Sequence, residues 1–418
     1  MKLKRVYMET YGCSANQAHA ETMQGVLTDN GFSIVKKPEK ADVLLINTCI
    51  VKSQTENKIR HRLMYLAKKY PQKKMLIAGC AADVGLFRNI AKNAAFLSSL
   101  KPEDVAKLLK TQTKESKRKV RRNPLVGITE IASGCLGSCA YCIVRLAKGD
   151  LKSRSPEAIV QEVENAIKEG CEEIWVTSQD CGCYGLDKKT DLAELLEKIV
   201  GIKGNFRIRI GMMNPMHIKS ITDALIDIYK NPKIYKFVHI PVQSGSDRIL
   251  RLMKRGYNAG DFEKIVERFR EAIENMTLST DIIVGFPGET EQDFSKTLEM
   301  IKRIKPDIVN LSKFGPRPGT EAAKMKQVEN RTIKERSAKI ARILKEIETR
   351  KNMEWVGKEC EIVITERGKK NNQFVGRNES YKSVIVESKK NLMGKALKVR
   401  ISDADQTYLS AEIIQKSA

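Results

Sequence analysis

The sequence predicts an α/β protein in three parts. These are an N-terminal parallel-sheet α/β domain, an open six-unit (β/α) partial barrel, and a small C-terminal all-β barrel. Three observations predict it. Apolar runs of strand length alternate with helical stretches over residues 1–110 and again over 125–350. A polar, basic segment, 111–124, separates the two alternations. Over 353–418 helical periodicity stops, and short β-type runs follow one another across Gly, Asn and Lys turns.

In the first part, "KRVYMETY" (4–11) is a strand and "QAHAETMQGVLTDNG" a helix that Gly31 ends. "DVLLINT" (42–48) has the continuous apolar character of a buried strand. "SQTENKIRHRLMYLAKKY" follows as a helix with Ser53 as its cap, then "KMLIAG" (74–79) as a strand. "TQTKESKRKVRRNP" (111–124) is expected to be an exposed linker, with phosphate contact as a second role. Six strands are then expected: "LVGITEIA" (125–132), "EEIWVTS" (172–178), "FRIRIGM" (206–212), "KFVHIPV" (236–242), "LSTDIIVG" (278–285) and "DIVNLSKF" (307–314). Helical stretches follow the first five. In "SPEAIVQEVENAIKEG", Ser155 caps the helix, Pro156 takes its first position, Ile159, Val163 and Ile167 share a face, and Gly170 closes it. Six units are too few for the closed eight-unit barrel, so an open version is expected. A long charged helix, 327–353, leads out. "ECEIVITERG", "FVGRNESYKSVIVE", "KALKVRISDA" and "TYLSAEII" supply the last barrel.

The 418 residues are 41% hydrophobic and 30% charged. No apolar run reaches bilayer-spanning length, and the start lacks a signal peptide's apolar core, so a cytoplasmic protein is expected, with no membrane partner. A formal charge of +24 favours an anionic partner, with nucleic acid the commonest and plain solubility the alternative. From Met353 onward the chain carries 12 Lys/Arg against 9 Asp/Glu, a balance that suits an RNA backbone better than a basic protein. Phe374 and Tyr381 are candidates for base stacking, with core packing the plainer role.

Six of the ten cysteines form two trios. Cys13, Cys49 and Cys80 are far apart in sequence, yet each lies just after one of the first three strands: "TYGC", "INTC", "IAGC". In a parallel sheet those ends share the edge where ligands bind. Cys135, Cys139 and Cys142 crowd into "GCLGSCAYC", after the first strand of the partial barrel. In a reducing compartment such clusters act as metal ligands more often than as disulfides. Zinc in structural sites takes four protein ligands, and iron–sulfur clusters normally take four cysteines. Neither trio shows a fourth, which leaves a coordination position for a substrate or cofactor. Cys171, Cys181, Cys183 and Cys360 are expected to be ordinary thiols, although Cys181 and Cys183 lie close to a strand's C-terminal end.

Cys-x-x-x-Cys-x-x-Cys after the first strand of a partial barrel, with the aromatic Tyr141 before the last cysteine, resembles the radical S-adenosylmethionine signature. The whole chain resembles the methylthiotransferases, through "TYGCSANQAHAE", "INTCIVKSQTE", "IAGCAA", "SGCLGSCAYCIVRLAKGDLKSRSPEAIV", "HIPVQSGSDRILRLMKRGY", "DIIVGFPGET" and "FGPRPGT". "GCLGSCAYC" with "LAKG" is closest to the archaeal and eukaryotic branch that acts on N6-threonylcarbamoyladenosine of tRNA. "AHAE" departs from the family's first motif, but Cys13 and Asn16 keep their places.

The resemblance implies two 4Fe–4S clusters, one on Cys135, Cys139 and Cys142 and an auxiliary one on Cys13, Cys49 and Cys80. It implies S-adenosylmethionine as methyl donor and as source of the 5′-deoxyadenosyl radical that activates carbon 2 of the adenine. The C-terminal barrel would be a TRAM domain that binds RNA. The implied partners are tRNA, an electron-donor protein and a sulfur source, and the protein is expected to be a monomer. Such chemistry belongs to the cofactors. It needs no Ser-His-Asp or paired-carboxylate site, and none is visible. Cofactor contacts are expected from Tyr141, Gln179, Asp180, Gln243, Ser244, Gly285 and Gly288, all but the first at strand C-terminal ends. The threonyl carboxylate calls for a cation, with Arg145 and Lys148 the candidates. Isopentenyladenosine tRNA or a ribosomal protein side chain are alternative substrates, and a non-catalytic iron–sulfur RNA-binding protein is the alternative of another class.

Overall fold

The computed structural model describes residues 4–51, 53–91, 93–109 and 119–416. Linker residues 111–118 and the side chain of Ser53 thus lie outside the described residues. The chain forms two compact units. One holds Met1–Arg122, Ile128–Leu136 and Cys142–Lys152, and the other holds Asn123–Gly127, Gly137–Tyr141 and Ser153–Ala418.

The first unit runs β1 (Arg5–Thr10), α1 (Ser14–Asp29), β2 (Ser33–Val35), β3 (Val43–Thr48), α2 (Ser53–Lys69), β4 (Lys74–Gly79), α3 (Cys80–Asp83), β5 (Ala95–Leu97) and α4 (Val105–Leu108). Its sheet is parallel, in the order β2-β1-β3-β4-β5. Strand β3 is buried along its length because it is central and covered on both faces. Alternate side chains divide between the faces: Leu44 and Ile46 pack with Ile59, Leu63 and Leu66 of α2, and Val43 and Leu45 with Met23, Val26 and Leu27 of α1. Strands β2 and β5, three residues each, escape the sequence pattern because so short a run shows no period. The α1 helix begins at Ser14, earlier than expected, with Cys13 as its N-cap residue.

The expected linker ends in contacts rather than as a free tether. Val120 N donates to Glu21 O at 3.1 Å, and Arg122 N to Glu21 Oε1 at 3.2 Å. There follow β6 (Val126–Glu130), β7 (Ala132–Ser133), α5 (Val144–Lys148) and β8 (Lys152–Ser153).

In the second unit come α6 (Pro156–Lys168), β9 (Glu173–Thr177), α7 (Leu192–Val200), β10 (Arg207–Ile210), α8 (Pro215–Ile218), α9 (Thr222–Tyr229), β11 (Phe237–His239), α10 (Asp247–Leu252), α11 (Ala259–Ala272), β12 (Thr277–Val284), α12 (Glu291–Ile304), β13 (Ile308–Lys313) and α13 (Asn330–Met353). The six expected strands are present as two triplets, β10-β9-β6 and β11-β12-β13. A parallel bridge between Ile208 and Ile234 and a bond from Met213 N to His239 O, 2.9 Å, join them. Ser155 caps α6 by accepting from Ala158 N at 3.4 Å. Ile159 and Val163 are buried as expected, but Ala166 takes the third inward place and Ile167 is half-buried.

The last strands, β14 (Glu359–Arg367), β15 (Gln373–Arg377), β16 (Ser383–Glu387), β17 (Ala396–Ala404) and β18 (Leu409–Lys416), close into a barrel ordered β14-β15-β16-β18-β17. The run "FVGRNESYKSVIVE" is a hairpin of two strands. This barrel packs within the second unit. Lys382 Nζ meets Asp307 Oδ1 at 3.0 Å with both side chains 6% exposed.

Candidate metal and cofactor site

Cys13, Cys49 and Cys80 follow the C-terminal ends of β1, β3 and β4, and the parallel register puts those ends on one edge. Cys13 is exposed, whereas Cys49 and Cys80 are buried. Two glycines let the loops close. Gly12 has φ +109°, and a Cβ there would stand 2.9 Å from Cys49 Sγ. Gly79 has φ +87°, and its Cβ would stand 2.2 Å from Thr48 O. Only glycine tolerates such a backbone so close to a neighbour. Burial pushes the Cys80 thiol up to about 12, the Cys13 and Cys49 thiols reinforce that, and the Lys148 charge opposes it. The three sulfurs therefore share one electrostatic environment.

Asn16 and Asn47 brace this edge. Asn16 Nδ2 donates to Tyr11 O at 2.5 Å and Thr48 O at 2.9 Å, and Asn47 Nδ2 donates to Asn16 O at 2.7 Å. Their Oδ1 atoms are buried without a hydrogen-bond partner among the described residues. Buried polar atoms are rarely left so. Three soft sulfur donors beside them suit a thiophilic cluster.

Cys135, Cys139 and Cys142 occupy the single loop between β7 and α5. Gly134, φ +75°, starts it; a Cβ there would lie 2.0 Å from Asp150 O. Cys135 N donates to Gly149 O at 3.3 Å. Arg255, 4% exposed, directs Nη1 at Cys139 Sγ, 3.2 Å away. Its Nε donates to Tyr257 Oη at 2.9 Å and its Nη2 to Pro241 O at 3.3 Å. A buried donor aimed at the sulfur orients it as a partner outside the ligand shell would. Sequence reasoning missed Arg255, because 116 positions separate it from Cys139 and no spacing signal links them. Tyr141 meets Phe286 edge-on, with centroids 6.2 Å apart.

The strand-end residues divide into two groups. Gln179 is half-buried, and its Oε1 is buried with no partner among the described residues, so it is free to meet a ligand. Gln243 holds a left-handed φ of +70° inside a backbone ladder, its N donating to Asp281 O at 2.8 Å. Gly285 and Gly288 also have positive φ, and Gly285 N donates to Glu289 Oε2 at 2.8 Å. Asp180 and Ser244 are occupied internally. Asp180, 1% exposed, accepts from Gly182 N and Asn214 N and lies 2.8 Å from His217 Nδ1. Ser244 is sealed, with its Oγ 3.3 Å from Thr297 Oγ1.

Of the two candidate carboxylate partners, Arg145 is already paired with Asp150 at 2.7 Å on the surface. Lys148 is 2% exposed, acts on Cys80, and directs Nζ at Ser99 O, 3.4 Å away. Cys181 and Cys183 are fully buried, and burial pushes the Cys181 thiol up to about 12. Cys171 is also buried, and Cys360 is half-buried. Phe374 packs in the C-terminal barrel core. Tyr381 packs on Tyr235 and Phe237, with centroids 4.8 and 5.1 Å away.

Residues 129–301 match the Radical SAM superfamily, and residues 354–414 match the TRAM domain. Residues 5–97 match the uncharacterized protein family UPF0004. In fold, the chain is similar to a radical S-adenosylmethionine methyltransferase, TsrM, from Kitasatospora setae. The TM-score is 0.57 at 13% identity, covering 77% of this chain and 75% of that one. The fold and the matches thus define a radical S-adenosylmethionine protein with two flanking domains. Over nearly its whole length the chain is similar to proteins described as probable threonylcarbamoyladenosine tRNA methylthiotransferases. That of Pyrococcus horikoshii is 42% identical, covering 98% of this chain and 99% of that one. That of Methanothermobacter thermautotrophicus is 37% identical over the same shares. The threonylcarbamoyladenosine tRNA methylthiotransferase of Xenopus laevis is 34% identical, covering 99% of this chain and 78% of its own. The chain belongs to this methylthiotransferase family of radical S-adenosylmethionine enzymes. Among the described residues, no helix is long and apolar enough to cross a membrane.

Proposed function

We propose that the protein transfers a methylthio group to carbon 2 of N6-threonylcarbamoyladenosine, beside the anticodon of tRNA. The observation that carries this reading is full-length likeness to tRNA methylthiotransferases, with both cysteine trios intact. Cys135, Cys139 and Cys142 would hold one 4Fe–4S cluster with S-adenosylmethionine at its open iron. Cys13, Cys49 and Cys80 would hold a second. When bound, these groups supply one-electron cleavage of S-adenosylmethionine and a sulfur-bearing site.

The chain's own residues prepare that chemistry. Arg255 donates to Cys139 Sγ and so helps fix where that sulfur is presented. Gly12 and Gly79 allow the auxiliary loops to approach. Lys148 sets a sealed cation against Cys80, which eases the gathering of three anionic sulfurs. Gln179 offers an unused acceptor at the strand ends, in keeping with a role on the cofactor. Tyr141, Gln243, Gly285 and Gly288 belong to the same proposed surround, whereas Asp180 and Ser244 serve to shape its loops. A TRAM domain and the +24 charge support tRNA as the partner.

The test is expression in a bacterial host that makes threonylcarbamoyladenosine but not its 2-methylthio derivative. Nucleosides from the host tRNA should then contain the derivative. Its absence, with the protein holding iron and cleaving S-adenosylmethionine, would count against this substrate and turn attention to isopentenyladenosine tRNA or a ribosomal protein.

A further inference from the structure

A guanidinium on the strands of the partial barrel forms no hydrogen bond or ion pair among the described residues. Along β9 and β10 side chains alternate between two faces. Ile174, Val176, Ile208 and Ile210 are at most 1% exposed. They mark the helix-covered face: Gly127 is wedged between Ile174 and Ala166 of α6. Trp175 and Arg209, neighbours in register, alternate to the other face and are half-buried.

Arg209 Cζ lies 5.5 Å from the Trp175 ring centroid, 5.3 Å from Phe237 and 5.6 Å from Tyr381. Among the described residues its guanidinium makes no hydrogen bond and no ion pair. Glu173 feels its charge but does not answer it. That side chain is buried, receives the Trp175 indole N–H, and is pushed by burial toward its protonated form. None of its nitrogens is among the buried unpartnered atoms, so solvent reaches its five N–H donors and an incoming acceptor has only water to displace. Aromatic rings favour the cation and leave its forked donor edge to an incoming group. A planar carboxylate is the group that fits such a fork. On the same face, Asp281 lies 3.1 Å from His239 Nε2 and accepts from Asn310 Nδ2 at 2.8 Å, a polar strip suited to a hydroxyl.

We propose that Arg209 receives the carboxylate of the N6-threonylcarbamoyl substituent and sets the preference for an acidic nucleoside over a neutral one. This rests on the substrate reading above and deepens it. It moves the carboxylate contact from Arg145, which Asp150 occupies, and Lys148, which is sealed, to the concave face of the partial barrel.

The experiment uses the reconstituted full-length protein and two anticodon stem-loop RNAs. One bears threonylcarbamoyladenosine, and the other bears the same group with a carboxamide in place of the carboxylate. Dissociation constants are measured for wild type, Arg209→Gln and Arg209→Lys, alongside turnover of the natural RNA by wild type. Wild type should bind the carboxylate RNA about 10- to 100-fold more tightly. Arg209→Gln should bring the ratio near one by weakening the carboxylate RNA, and Arg209→Lys should restore part of it. If Arg209 were only a rivet between the two barrels, both RNAs would weaken together and the ratio would survive. A surviving ratio, or a wild type that does not discriminate, overturns the proposal; if Arg209→Gln fails to fold, Arg209→Lys and the wild-type ratio decide. Wild-type turnover of the natural RNA with a surviving ratio condemns Arg209 alone. Absence of both turnover and binding condemns the substrate reading, and the proposal with it.

Discussion

Gly12→Ala probes how the auxiliary trio is assembled. The new methyl would stand 2.7 Å from Cys49 Cβ and 2.9 Å from its Sγ, at a φ of +109°. A non-glycine residue held in such a conformation costs about 1–3 kcal/mol before the clash is relieved. Relief must come from the backbone that carries Cys13, because Cys49 is 5% exposed and has no room to retreat. The conformer with Cys13 beside Cys49 should lose a factor of about 5 to 150 in population. The apolar clusters of this unit do not include Gly12, so the fold should survive with its circular dichroism unchanged. Iron and sulfide per chain are then measured after anaerobic reconstitution, with S-adenosylmethionine cleavage and methylthio transfer assayed in parallel. Iron should fall toward the level carried by the Cys135 trio alone, cleavage should persist, and transfer should collapse. Full iron content with unchanged transfer would show that the close approach at Gly12 has no part in holding the auxiliary group.

Other outcomes follow from the same geometry. Arg255→Met should lower iron retention and S-adenosylmethionine cleavage, with Arg255→Lys recovering part of each, because the donor to Cys139 Sγ is lost. Asp307→Ala leaves Lys382 buried without its partner and should cost about 3–5 kcal/mol in denaturant unfolding. Burial raises the Glu173 carboxyl, so the folded state holds its proton while the unfolded chain releases it. Its contribution to stability therefore falls as pH rises above the ordinary carboxylate range, and Glu173→Gln should flatten that limb of the stability profile. Affinity for tRNA should fall linearly on a log–log plot against salt, at about 0.7 to 0.9 per phosphate neutralised.

Much of the fold was legible because each strand of the two alternations carries its own apolar run. Strands β3 and β4 are the clearest: both are buried nearly throughout, so their sequences are almost continuously apolar. Strands β2 and β5 were not legible, since three residues do not display a period. The places of the six cysteines after strands were legible, and the parallel register puts Cys13, Cys49 and Cys80 on one edge. Charge pairing was not legible. Arg145 and Lys148 looked available in sequence, yet one is taken by Asp150 and the other is sealed beside Cys80. Arg255 and Arg209 acquire meaning only through folding, which brings one to a cysteine and the other among three aromatic rings. Tyr381 shows the same limit: an aromatic in the TRAM domain that looked available for stacking, it packs on Tyr235 and Phe237.

Two separate cysteine trios are proposed to serve one methylthio transfer to tRNA. The most direct test is anaerobic reconstitution with S-adenosylmethionine, a reductant and tRNA bearing threonylcarbamoyladenosine, followed by mass spectrometry of the digested RNA. Wild type should yield the 2-methylthio nucleoside. Cys135→Ala should lose both that product and 5′-deoxyadenosine, whereas Cys49→Ala should lose the product but keep cleaving S-adenosylmethionine. Product formation that survives Cys49→Ala, or 5′-deoxyadenosine that survives Cys135→Ala, would contradict the division of labour between the two trios.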